Sequence, residues 1–125
     1  MNIDSRKSYF LVIDLEATCS DDDSIPRQET EIIEIGAVML NRSTWEMESE
    51  YQQFIKPIRH PILTDFCTQL TTIKQSDVEN AATFPEAIIS FKEWILKFSH
   101  YTFCSWGNYD KRQFTQDCRF HQIPL

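Results

Sequence analysis

A chain of 125 residues has room for one domain with a sizeable core, and 42% hydrophobic with 13% aromatic residues predicts a globular fold rather than a disordered one. The net charge of −7 excludes broad attachment to nucleic acid through Lys and Arg, so a phosphate-bearing partner needs bound cations to bring the positive charge. No apolar run is long enough to cross a membrane, no signal-peptide succession opens the chain, and Cys19, Cys67, Cys104 and Cys118 form neither a CxxC pair nor a cluster with histidine; the expectation is a cytoplasmic protein with reduced, partly buried thiols and no membrane partner.

Residues 1–8 are polar, carry Arg6 and Lys7, and read as a flexible N-terminal tail. Tyr9 to Cys19 then reads YFLVIDLEATC, in which five consecutive apolar residues predict a central strand buried on both faces, with Asp14 at its end. Side chains two apart in a strand share a side, so Asp14 and Glu16 project together from a rigid element. Two carboxylates held that way repel each other unless a cation lies between them, which makes the pair a candidate metal site; the plain alternative is two polar residues where a strand becomes a loop. Ser20 to Pro26 reads as an exposed loop, and Asp21, Asp22 and Asp23 lack the alternating spacing, glycine and closing glutamate of a calcium loop.

Thr30 to Leu40 predicts a second strand pairing with the first, with Gly36 marking a bulge or a close backbone approach, and with Glu34 either facing solvent or joining Asp14 and Glu16. Asn41 to Thr44 has turn composition, and Trp45 to Ile55 reads as an antiparallel edge strand turning Glu46, Glu48, Glu50 and Gln52 to water. An extended connection over Lys56 to Pro61 leads to LTDFCTQLT, a short helix with Thr64 as N-cap and Phe66, Leu70 and Ile73 at helical spacing. Ser76 with Glu79 and Thr83 with Glu86 both match the capping box. The second opens a helix whose stripe of Phe84, Ile88, Phe91, Ile95 and Phe98 packs on the sheet while Lys92, Glu93 and Lys97 stay wet. Tyr101 to Trp106 is a strand in parallel pairing, and Gly107-Asn108 starts a last helix, with Asn108 as N-cap and Asp110, Phe114 and Cys118 along one side. Asp110 thus lies in the first turn of a helix leaving a strand end, the edge where α/β folds gather ligands, although the helix dipole alone also favours aspartate there.

These segments resemble the DEDDh 3′–5′ exonucleases. DLEATC is similar to the first motif of that family and SWGNYDKRQF to the second, and EIIEIGAVMLN, the FIKP segment, LTDFCTQLTTI and the FPEAI helix start follow in the same order. The likeness covers Tyr9 to Leu125 and is nearest the histone-mRNA 3′-exonuclease and enhanced-RNAi exonuclease branch with its bacterial relatives. It implies an α/β fold, a ribonuclease H-like mixed sheet with flanking helices, and an exonuclease domain over residues 9–125 that is C-terminally incomplete, lacking its last strand and helix.

The resemblance also implies a mechanism. Asp14 would bridge two divalent ions, Mg²⁺ or Mn²⁺, Glu16 would bind the nucleophile-side ion, and Asp110 would hold the second through water. Phe66 and Leu70 would wedge the terminal bases, and the amides around Ala17 and Thr18 would meet the terminal nucleotide; simple packing is the alternative for Phe66 and Leu70. The third motif of the family, a histidine followed at short spacing by an aspartate, lies on a helix beyond a further strand, and this chain reaches Pro124-Leu125 before it. His121 as a substitute base is set against an ordinary helix-end histidine, the reading also given to His60 and His100. The expected activity is therefore metal-dependent 3′–5′ hydrolysis of single-stranded RNA or DNA ends, RNA favoured, giving nucleoside monophosphates, with weak or no turnover by these 125 residues alone. The competing reading is a non-catalytic 3′-end-binding or protein-interaction module that self-associates through an exposed sheet edge. A small-molecule phosphatase lacks its glycine-rich loop, since Gly36 and Gly107 are the only glycines.

Overall fold

The computed structural model describes residues 7–105 and 109–124. A four-stranded mixed sheet in the order β3-β2-β1-β4 forms its centre. The strands are β1 (Tyr9–Ala17), β2 (Ile32–Asn41), β3 (Met47–Phe54) and β4 (Tyr101–Cys104); the helices are α1 (Asp65–Thr71), α2 (Gln75–Val78), α3 (Phe84–Ile95) and α4 (Tyr109–Phe120), and a 3-10 turn spans Arg27–Glu29. The expected strand end at Trp106, the turn at Gly107 and the cap at Asn108 lie outside the described residues, as do residues 1–6 of the tail and Leu125.

β1 is central, antiparallel to β2 and parallel to β4, but it is not buried on both faces as its apolar run predicts. Tyr9, Leu11, Ile13, Leu15 and Ala17 are buried, whereas Phe10, Val12 and Glu16 are half-buried and Asp14 is exposed. The reason is one-sided cover. Leu11, Ile13 and Leu15 share a core with Ile35, Ala37 and Met39 of β2, with Phe84, Ala87, Ile88, Phe91 and Trp94 of α3, and with Cys118 of α4. Phe10 and Val12 point to the other face, which these helices do not reach.

A register shift falls where β1 ends. Glu16 opposes Glu34 and Ala17 opposes Ile32, so β2 carries one extra residue there, and the bulge lies at this point rather than at Gly36. A Cβ at Gly36 would stand 3.5 Å from the Asp14 carbonyl oxygen, an ordinary contact, so this glycine marks no tight approach either. Ile32 enters the main core and Ile33 a second, smaller one built from Leu63, Cys67, Ile73 and Val78.

β3 is the polar edge strand expected from its alternation. Glu48, Glu50 and Gln52 are exposed, while Tyr51 faces α3 with its ring 5.1 Å from Phe91 and 5.5 Å from Trp94. The α3 start has the predicted cap, the Thr83 N–H donating to Glu86 Oε1 at 3.1 Å; of its stripe Phe84, Ile88, Phe91 and Phe98 are buried and Ile95 half-buried, with Ala87 and Trp94 added to the core. Thr64 caps α1 by accepting the Cys67 N–H at 3.0 Å. The first capping box is displaced. α2 begins at Gln75, and Asp77 rather than Glu79 accepts a backbone amide, that of Lys74, at 2.9 Å, so Ser76 sits inside the helix.

α4 is tied to the chain before β2 by polar groups from its buried side. Gln113 Nε2 donates to the Thr30 carbonyl at 3.1 Å and to Asp117 at 2.9 Å, and Asp117 accepts the Ile32 N–H at 3.1 Å. Burial pushes the Asp117 carboxyl up from 3.8 to about 6, against the pull of its hydrogen bonds from Gln113 and Ile32. A carboxyl that binds its proton more tightly in the folded state weakens the fold as pH rises through that interval. Asp117 should therefore cost on the order of 2–3 kcal/mol above about pH 6 that it does not cost below about pH 4. Asp117→Asn keeps an acceptor for Ile32 without the charge. Its urea midpoint relative to the parent chain should be highest near neutral pH and fall as the pH is lowered through the window; a difference independent of pH would contradict this.

Candidate active site

The end of β1, α1 and the start of α4 enclose a cleft of about 470 Å³. Asp14 and Glu16 reach it from β1, Asp110 from the first turn of α4, and Cys19, Leu70 and Tyr109 complete its walls. Asp14 and Glu16 share the open face of the sheet because they alternate with the packed Ile13, Leu15 and Ala17. Asp110 is only 3% exposed, with the Leu15 backbone N–H close enough to pull its carboxyl down against the effect of burial. A helix-dipole role alone does not account for a carboxylate buried against another element.

The three acids feel one another. Burial first, then the charges of Asp14, Glu34 and Asp110, push the Glu16 carboxyl above its ordinary value. Burial likewise raises Asp110, with Asp14 adding to the rise and the Leu15 N–H opposing it. Such a site favours protons or cations. All its charged donors are carboxylate oxygens, the hard set that suits Mg²⁺ or Mn²⁺ better than zinc. Among the described residues no three Asp, Glu, His or Cys side chains converge as a ready-made metal cage, so the carboxylates line a cleft that fits a cation without being closed on one.

The remaining predicted residues divide. Leu70 is 66% exposed on the rim of the cleft, so packing does not explain it. Phe66 is half-buried in α1 and stands outside the cleft wall. Ala17 lines the cleft. Thr18 is buried and held twice by Glu31: its N–H donates to the Glu31 carbonyl at 2.8 Å, and its Oγ1 accepts the Glu31 N–H at 2.9 Å. The Thr18 N–H is thus engaged by Glu31, which anchors the end of β1 beside the cleft. Glu34 does not line the cleft; its carboxylate accepts Gln52 Nε2 at 2.8 Å. His121 stacks on Phe84 at 5.3 Å between ring centres, and burial lowers its pKa; it lies at the opposite end of α4 from Asp110. His60 pairs with Glu29 at 2.8 Å.

Three contributors carry no sequence signal. Tyr109 lines the cleft, its phenol pushed up to about 12 by burial and by the charges of Glu16 and Asp110. Cys19 lies beside Cys67, and burial and that neighbour push its thiol up to about 12. Glu31 is 4% exposed and accepts the amides of Ile58, Arg59 and His60, fixing the loop that leads to α1.

Comparison with known proteins places the chain in a family. The profile of the RNase_T exonuclease family matches residues 11–123. ERI1 exoribonuclease 2 of Mus musculus is 37% identical over 112 residues, covering 90% of this chain and 16% of that protein. The 3′-5′ exonuclease Snipper of Drosophila melanogaster is 40% identical over 89 residues, covering 70% of this chain and 32% of that protein. The chain thus spans less than two thirds of the length of either relative. The crystal structure of the nuclease domain of 3′hExo, a DEDDh family member bound to rAMP, superposes with a TM-score of 0.86 at 32% identity, covering 98% of this chain and 64% of that one. The mixed sheet with flanking helices is accordingly part of a ribonuclease H-like exonuclease domain, a family whose chemistry implies divalent metal ions. The profile match over nearly the whole chain and the shared fold agree, and the chain belongs to the RNase_T exonuclease family, among its DEDDh 3′–5′ members.

Proposed function

We propose that this chain carries the metal-binding end of an exonuclease that removes nucleoside monophosphates from the 3′ terminus of single-stranded nucleic acid, RNA in preference to DNA. The observation that carries the reading is the cleft that brings Asp110 to Asp14 and Glu16 from far along the chain, three acids that repel one another when no cation lies between them. Two Mg²⁺ or Mn²⁺ ions held there supply an activated water and neutralise charge building on the phosphate. Asp14 and Glu16 present their oxygens from a rigid strand, and Asp110 joins them from the buried first turn of α4. Leu70 offers an apolar edge to the terminal base. The preference for RNA is supported by the names of the relatives, exoribonucleases among them, and by the rAMP in the 3′hExo structure.

The domain layout belongs to the same proposal: residues 9–125 form an exonuclease domain that carries the first two motifs. Four free thiols support a reducing, cytoplasmic setting; among the described residues no helix is long and apolar enough to cross a membrane. β4 is the outer strand at the end of the sheet opposite β3, with Tyr101 and Phe103 exposed, which supports association with another chain along that edge.

The test is a 5′-labelled single-stranded RNA incubated with the chain and Mg²⁺. Shortening in single-nucleotide steps from the 3′ end is expected. Internal cuts overturn the reading, and Mg²⁺-dependent binding with no shortening favours a non-catalytic 3′-end-binding module. Leu70→Ala should weaken binding of a 3′-terminal nucleotide by roughly three- to tenfold, about 1 kcal/mol of lost apolar contact, and leave the urea midpoint unchanged because the side chain is already in water.

A further inference from the structure

The surface beside the carboxylate cleft carries the opposite charge. A groove of about 450 Å³ shares Cys19 and Tyr109 with that cleft and continues past Arg27 and Arg112. A further opening of about 630 Å³ carries it along the outer side of α4, past Lys111 and Arg119. No carboxylate lines either opening, in a chain with 19 acidic residues against 12 Lys and Arg.

The four cations are uncommitted and their platform is fixed. Arg42 lies over the Phe10 ring, Arg59 over Phe120, and Lys7 pairs with Glu48. Among the described residues, Arg27, Lys111, Arg112 and Arg119 have no ion pair and no side-chain hydrogen bond. Arg112, Gln116 and Arg119 recur at helical spacing and so share one side of α4. Gln116 Nε2 donates to the Arg27 carbonyl at 3.2 Å and to the Thr30 carbonyl at 2.9 Å, clamping the 3-10 turn to the helix and holding the two walls of the groove together.

We propose that this track receives the sugar–phosphate backbone of single-stranded nucleic acid immediately 5′ of the nucleotide held at the carboxylate cleft, with Arg27, Lys111, Arg112 and Arg119 at its phosphates. The proposal rests on the exonuclease reading of the cleft and adds the path of the strand. A polyanion approaching a chain of net charge −7 is repelled over most of the surface, so a positive strip that joins the cleft decides where the strand can lie. Tyr109, exposed at the junction, is placed to stack on a base, and α4 from there to Arg119 runs about 15 Å, room for a few nucleotides.

Binding of a labelled single-stranded oligonucleotide, its 3′ end protected by phosphorothioate linkages, is compared with binding of AMP, for the parent chain and for Arg112→Glu/Arg119→Glu, with Mg²⁺ present and at several salt concentrations. The double variant should bind the oligonucleotide roughly tenfold or more weakly, with a salt slope shallower by about one to two, and should bind AMP within about threefold of the parent. Both side chains are exposed and unpaired, so the variant should keep its circular dichroism and urea midpoint; Arg27→Glu provides an independent check from the other wall. An unchanged oligonucleotide affinity, or an equal loss for AMP, overturns the track. If the parent chain binds AMP in a manner lost with Asp14→Asn yet binds the oligonucleotide no more tightly, the track alone falls. If it binds neither, the reading of the cleft falls with it.

Discussion

Asp14→Asn is expected to lower 3′-end shortening by about a hundredfold or more and to abolish the rise in thermal midpoint that Mg²⁺ gives the parent chain. Asp14 is the exposed member of the three acids, on the open face at the end of β1, and it adds negative potential to both Glu16 and Asp110. Removing its charge leaves two carboxylates where a cation needs more, and an amide oxygen is a weaker ligand for a hard ion. The same change relieves repulsion in the empty site, so without added metal the variant should be as stable as the parent or slightly more so. That opposition is the diagnostic: a structural residue would lose stability, whereas a ligand loses only the response to the ion. A variant that keeps the full Mg²⁺ response would remove Asp14 from the site.

Glu31→Ala should destabilise the fold by about 4 kcal/mol, read as a lower urea midpoint, with the loop before α1 disordered. Glu31 Oε2 accepts the Ile58 amide at 2.8 Å, and Oε1 accepts the amides of Arg59 at 2.8 Å and His60 at 3.0 Å. Charge-assisted bonds to three backbone donors are stronger than neutral ones, and alanine leaves all three without a protein partner. Glu31→Gln retains one carbonyl oxygen and should cost about half as much. A loss below about 1 kcal/mol for alanine would mean that water reaches the loop and replaces the carboxylate. Because this loop leads directly into α1, Glu31 also acts on the rim of the cleft, where Leu70 stands.

What could be read from the sequence was what local pattern and spacing encode. The α3 stripe from Phe84 to Phe98 follows from helical periodicity, the Thr64 and Thr83 starts from their hydroxyls, and the sharing of a side by Asp14 and Glu16 from strand geometry. The open face of β1 could not be read this way. An unbroken apolar run looks the same whether one face or both are covered, and the cover depends on helices far along the chain. Glu31, Gln113 and Asp117 were invisible for a related reason. They are polar residues sealed in part by partners far along the chain, such as the Ile58 amide 27 positions from Glu31 and the Ile32 amide 85 from Asp117, and nothing next to them in sequence distinguishes them from surface residues. The basic track needs the 3-10 turn and α4 brought side by side; in the sequence Arg27 and Arg112 are ordinary charges scattered through an acidic chain.

The division of the interior into two clusters sets an order of loosening. The segment with Leu63, Cys67, Ile73 and Val78 rests on a small core of its own, joined to the sheet through Ile33, while β1 with Asp14 and Glu16 belongs to the large one. Subglobal opening follows such seams. The segment with Leu70 should therefore exchange its amide hydrogens at lower free energy than β1, which keeps Asp14 and Glu16 in place.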